Sequence, residues 1–145
     1  MGQQQLLLII LGVIIVGIAV AVGISMFTAS ATSANRDAVS SDLTNLAALA
    51  QQHYRRPSAM GGGANSFDGS TQPGVASRWS VPGQLDTTAN GYYVATGVAA
   101  NQVIIVGVGL ENGDVLTFAN AVTGPGKVQL TCTVTPTTIS AAKNN

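Results

Sequence analysis

From Leu6 to Phe27 the chain reads LLLIILGVIIVGIAVAVGISMF, and no charged side chain appears before Arg36. No other feature narrows the possible folds so far. As an α-helix rising about 1.5 Å per residue this run measures roughly 33 Å, against a hydrocarbon core of about 30 Å. The rest of a 145-residue chain is too small to enclose such a rod in its own core. The segment is therefore expected either in a membrane or against further copies of the chain. A cleaved secretory signal would carry a basic flank and an apolar stretch of about 7–15 residues. Here nothing basic precedes the run and the run is longer, although Ala29–Ala31 imitates a cleavage site. The run is expected to belong to the working structure.

Helix is its expected state, because hydrocarbon offers no partner for open backbone groups. Gly12, Gly17 and Gly23 interrupt an otherwise bulky surface. Gly17 with Ala21, and Ala19 with Gly23, place small residues four apart, a spacing that lets helices approach closely; Gly is also common in membrane helices at large. Thr28–Asn35 is small and polar but holds no Pro or Gly to stop a helix. From Arg36 the pattern turns amphipathic. Val39, Leu43, Leu46 and Ala50 fall at i, i+4, i+7 and i+11, with Leu49 and Tyr54 flanking the stripe. Asp37 and Asp42 come early, Arg55 and Arg56 late, and Pro57 follows, an order that suits the helix dipole and a stop. The pattern predicts one helix from about Gln3 to Arg56.

Beyond it, Gly61-Gly62-Gly63, Asp68-Gly69, Pro73-Gly74 and Pro82-Gly83 mark Ser58–Gln84 as a loop region, with Trp79 and Val81 expected to pin it down. Strand signals follow at Tyr92–Thr96, Val103–Leu110, Val115–Ala119 and Lys127–Thr135, with a hairpin turn at Asn112-Gly113. Their order predicts an antiparallel meander of about four strands, one face on the Val39–Tyr54 stripe. The expected class is α+β: a long N-terminal helix packed on a small antiparallel sheet. Residues 1–34 would form an apolar helix for membrane or filament core, and 35–145 a domain outside the cytoplasm. That domain divides into a helical part (35–56), a loop region (58–84) and a sheet (85–145).

Charged residues make up 8% of the chain, about a third of the usual quarter, and six basic side chains cancel six acidic ones. Such a balance supports no nucleic-acid interface. The polar surface is mostly Ser, Thr, Asn and Gln, which suits close, repeated subunit contacts. The lone Cys132, in KVQLTCTV, excludes an intramolecular disulfide and reads as a small buried hydrophobe.

No catalytic residue, cofactor or metal site is expected, and no enzyme. His53 is the only histidine, so any triad or metal site would hang on one residue beside the helix stripe. Gly107-Val108-Gly109 starts like a dinucleotide loop but lies in a strand pattern, and Gly124-Pro125-Gly126-Lys127 is followed by Val128 where a phosphate loop needs Ser or Thr. Asp68, Asp86 and Asp114 lack the spacing of a calcium loop. The Thr-rich stretch Thr133–Ser140 reads as a tail that could carry O-linked sugar. Phe27 and Tyr54 are the only aromatics of the long helix, too few for a stacked conducting array.

A long N-terminal helix, apolar from its start and amphipathic later, followed by a loop region and a small sheet, resembles the type IV pilins. The N-terminus Met1-Gly2-Gln3-Gln4-Gln5-Leu6 carries the resemblance further. Mature pilins often begin with an N-methylated Phe or Met left when a short basic leader is removed, and their apolar run starts within a few residues. The resemblance implies that Met1 is such a processed terminus and that the missing basic flank left with the leader. A start at Gln3, with cleavage after Gly2, would instead resemble archaeal-type pilins. The specific likeness covers residues 1 to about 27; the architecture covers the whole chain.

Three departures stand out. Pilins usually carry Glu at mature position five, facing a neighbour's terminal amine, and here that residue is Gln5. An amide accepts from an ammonium but gains less than a carboxylate would. The disulfide-closed C-terminal loop of many pilins is missing. No Pro lies in the helix, so any unwinding would fall at Gly12, Gly17 or Gly23. The resemblance implies a structural subunit, with Met1, Gln5, Gly12, Gly17, Ala21 and Gly23 serving filament assembly. Its partners would be further copies of the chain, the inner membrane before assembly, and the pilus assembly machinery. A minor pseudopilin of a type II secretion system, or a binding module anchored by one helix, would share the same architecture.

Overall fold

The computed structural model describes residues 2–69, 78–110 and 128–144. Its first element is a single unbroken helix, α1 (Gly2–Arg55), 54 residues long. No Pro interrupts this stretch, and several of its hydroxyl side chains bond back to carbonyls of their own helix. Ser25 donates to the Ala21 carbonyl (3.0 Å), Thr32 to that of Thr28 (2.9 Å) and Thr44 to that of Ser40 (2.9 Å). The end comes where the sequence places it. Pro57 has no N–H to continue the ladder, and a 3₁₀ turn, Ser58–Met60, closes with Gly61 at φ 72°, its N–H donating to the Ser58 carbonyl (2.9 Å).

Among the described residues four antiparallel strands follow: β1 (Gly91–Ala99), β2 (Gln102–Gly109), β3 (Gln129–Val134) and β4 (Ile139–Asn144). They pair in sequence order, β1-β2-β3-β4. The register sets Ala95, Ile105, Cys132 and Ala141 in one row across the sheet, and Val98, Val103, Val134 and Ile139 in another. Directly opposed residues share a face, so both rows point toward the helix. In β1 the register shifts between Ala95 and Gly97, a bulge that leaves Thr96 over.

The helix meets this face with Val39, Leu43, Leu46, Ala47 and Ala50, against Tyr93, Val103, Ile105, Leu130, Cys132 and Val134. All are buried. Cys132 is a core residue, and burial pushes its thiol above the usual value. The loop region is pinned by Trp79 and Val81, as expected, and more deeply by Phe67, fully buried with its ring 4.8 Å from that of Tyr54. Main-chain bonds from Phe67 to Ala100 (3.0 Å) and from Trp79 to Phe67 (2.8 Å) tie it to the sheet.

The α+β class and the helix stand, but the strand set differs from the expected one. β1 runs on to Ala99 and turns straight into β2 through Ala100-Asn101. The expected strand Val115–Ala119, the turn Asn112-Gly113 and the loop Gly124–Lys127 lie outside the described residues. The expected Lys127–Thr135 strand is β3, and a further strand, β4, begins inside the Thr-rich stretch read as a tail and runs on to Asn144. Thr135 and Thr138 make its turn: the Thr135 N–H donates to the Thr138 carbonyl (2.8 Å), the Thr138 N–H to Thr135 Oγ1 (2.9 Å), and their hydroxyls lie 2.6 Å apart. The threonines there close a hairpin.

Candidate functional site

Residues 2–30 of α1 are all exposed, and the first fully buried helical side chain is Val39. Over those 29 residues the helix projects as a stem of roughly 43 Å at about 1.5 Å per residue. Within it, every large apolar side chain from Leu6 to Phe27 is open, from 48% at Leu11 to 75% at Phe27. The stem is long and apolar enough to cross a membrane, and none of that length is buried within the molecule. Its polar groups near the domain are satisfied internally, since Ser25 and Thr28 bond to carbonyls of their own helix. Beyond the first turn, whose N–H groups have no partner within the helix, an apolar surrounding therefore meets side chains and closed backbone.

Gln5, Gly12, Gly17, Ala21 and Gly23 all lie on this stem, while Met1 lies outside the described residues. No atom approaches the place of a side chain at Gly12, Gly17 or Gly23. At about 100° per residue, Gln5, Gly12, Ala19 and Gly23 fall within roughly 40° of one another, and Gly17 with Ala21 lie on the opposite side. The small residues thus make two shallow faces, back to back.

The stem continues without a break into the helix that the domain holds by several hydrogen bonds. Asn35 Nδ2 donates to the Asn90 carbonyl (2.9 Å), and Gln51 Nε2 to that of Thr135 (3.0 Å). Between them Asp42 Oδ2 accepts from the Tyr93 hydroxyl (2.7 Å), Asn90 Nδ2 (3.0 Å) and the Thr88 hydroxyl (3.2 Å). Partial burial alone would raise the Asp42 pKa, but these three donors outweigh it and hold the carboxyl below the usual value. Burial and the Asp42 acceptor push the Tyr93 phenol well above its usual range.

Two glycines of β2 make this closeness possible. A side chain at Gly107 would press on the Tyr93 ring and on Val39, and one at Gly109 would strike the Asn35 amide. The motif that resembles a dinucleotide loop is where helix side chains press close on the strand backbone. Sequence patterns pointed to the stem but not to this joint, because Asp42 read as an early helix charge and Tyr93 as a strand residue.

Among the described residues no three His, Cys, Asp or Glu side chains gather as metal ligands would. No family model, curated protein or solved structure matches this chain.

Proposed function

We propose that this chain is the subunit of a type IV pilus-like extracellular filament. The observation that carries the proposal is the stem: a fully unburied apolar helix continuous with the core helix of a folded domain. Sixteen large apolar side chains stand open between Leu6 and Phe27. At roughly 1.5–3 kcal/mol for burying each, their exposure to water costs more than the whole stability of a small domain, about 5–15 kcal/mol. No lasting state leaves them in water. Before assembly the inner membrane would hold the stem; afterwards the stems of neighbouring copies would.

The exchange of lipid for protein gains packing rather than hydrophobic transfer. Once the subunit is outside, water is the only other surrounding, so assembly is effectively irreversible without a membrane to return to. Two small-residue faces back to back favour a polymer over a pair, since each stem then admits a close neighbour on both sides. Gln5 would accept a hydrogen bond from the N-terminal amine of a neighbour, more weakly than the usual glutamate.

Electron microscopy of material sheared from producing cells, with mass spectrometry of the N-terminus, tests this. Fibres built from this chain and starting at a processed, N-methylated residue are the expected result. Gly17→Leu and Val13→Asp should abolish the fibres while the domain still folds by circular dichroism. A chain found in membranes only as a monomer, or normal fibres from both variants, would sink the proposal; the first result would favour an anchored binding module.

A further inference from the structure

At the end of the domain farthest along α1 from the stem, His53, Arg56, Arg78 and Trp79 line a cleft of about 360 Å³, with Leu49 and Pro82 as its apolar walls. Three of the six Lys and Arg residues of the chain, Arg55, Arg56 and Arg78, gather at this end beside its only histidine. No carboxylate is among the described residues that line it. The exposed guanidiniums of Arg56 and Arg78 make no hydrogen bond or ion pair among the described residues, and His53 Nδ1 is buried with no partner among them. Two cations with no counter-ion among the described residues repel each other across one concavity, and a neutral ligand would leave that repulsion in place.

The frame of the cleft is fixed. The Gly63 N–H donates to the His53 carbonyl (2.9 Å), the Ala64 N–H to that of Arg56 (3.0 Å) and the Gly62 N–H to that of Pro57 (3.1 Å). Side chains at Gly62 or Gly63 would collide with Arg56 and with the Ser66 carbonyl, so the triple glycine is what lets the turn wrap the helix end. Trp79, 5% exposed, holds the other wall through its bond to Phe67.

We propose that this cleft binds an oxyanion of the phosphate or sulfate class, held between the guanidiniums of Arg56 and Arg78. Guanidinium is the side chain best shaped for such oxygens, which it meets with paired N–H donors. Gln52 and Ser80 also line the cleft and supply neutral donors. The volume exceeds that of a bare tetrahedral anion, so there is room for a small organic body against Leu49 and Pro82. The site is independent of the filament proposal: it needs only the domain.

The chain carries one Trp and one His, and both line the cleft, so each is a clean reporter. Full-length protein in a non-ionic detergent is titrated with inorganic phosphate, glucose 6-phosphate and glucose at about 0.15 M salt, where diffuse attraction is screened. Expected is saturable change in Trp79 fluorescence with both phosphates and none with glucose. The proton NMR titration of His53, held low by burial and by Arg56, should shift upward when the anion binds. Tighter binding of glucose 6-phosphate would mean that the ligand is an ester; equal binding would mean that the anion alone is read. Arg78→Gln and Arg56→Gln should each weaken binding roughly tenfold or more. Arg55→Gln, outside the cleft, should not. No response to either phosphate, or equal loss in all three variants, would overturn the assignment.

Discussion

Replacing Tyr93 by Phe strips Asp42 of its shortest hydrogen bond, 2.7 Å, and leaves a half-buried carboxylate with two donors in place of three. The cost should be about 1–3 kcal/mol, read as a lower urea midpoint at unchanged slope. The same pair gives stability a dependence on pH with a defined sign. The folded-state pKa of Asp42 lies below its ordinary value, so its contribution is present above the usual carboxylate range and is lost as pH falls through it. The folded-state pKa of Tyr93 is raised, so its contribution holds below the ordinary phenol value of about 10 and is lost as pH rises beyond it. Urea midpoints should therefore fall away at both ends of the range. In Tyr93→Phe the alkaline loss should shrink; an unchanged alkaline limb would mean that another group titrates there.

At the scale of elements, α1 was legible because its two halves carry two different signals. The first has no charge at all, and the second repeats apolar residues at helical spacing up to Pro57. The sheet was legible where its strands are β-branched, as in Val103–Val106 and Leu130–Val134. It was hidden elsewhere. The turn Ala100-Asn101 carries neither glycine nor the Asn-Gly pair that marks a hairpin, and β4 reads ISAAKN, half of it Ser and Ala. That strand is specified by its register against β3 and by the Thr135–Thr138 turn, which no periodicity displays. The two halves of α1 should also differ energetically. Leu43→Ala empties a fully buried site facing the sheet and should cost the domain about 2–5 kcal/mol. Leu8→Ala, on the open stem, should leave denaturant unfolding of the domain within about 0.5 kcal/mol of the parent. Equal losses from the two would contradict a core that begins at Val39.

For the whole molecule, the single helix makes the direction of the stem a property of the domain. Bonds at Asn35, Asp42 and Gln51 grip α1 over 16 residues, roughly 24 Å, so the stem leaves the sheet at a set angle. A subunit that must repeat the same neighbour contacts many times benefits from such a joint, because a loose one would have to be ordered at every addition. Ser30→Pro separates the two properties. Ser30 is exposed and lies ahead of the first bond to the sheet, so the domain should unfold at an unchanged urea midpoint. Proline there removes one helical hydrogen bond and crowds the preceding turn, which kinks the helix. Spin labels on cysteines introduced at Ser25 and Thr44, both exposed, lie about 28 Å apart along the straight parent helix. Double electron–electron resonance should give a narrow distribution near that distance for the parent and a shorter, broader one for Ser30→Pro. If the stem acts as a rigid extension, the kinked variant should also fail to form fibres despite keeping every apolar side chain. Fibres of normal yield from a demonstrably bent helix would show that assembly depends on the apolar surface alone.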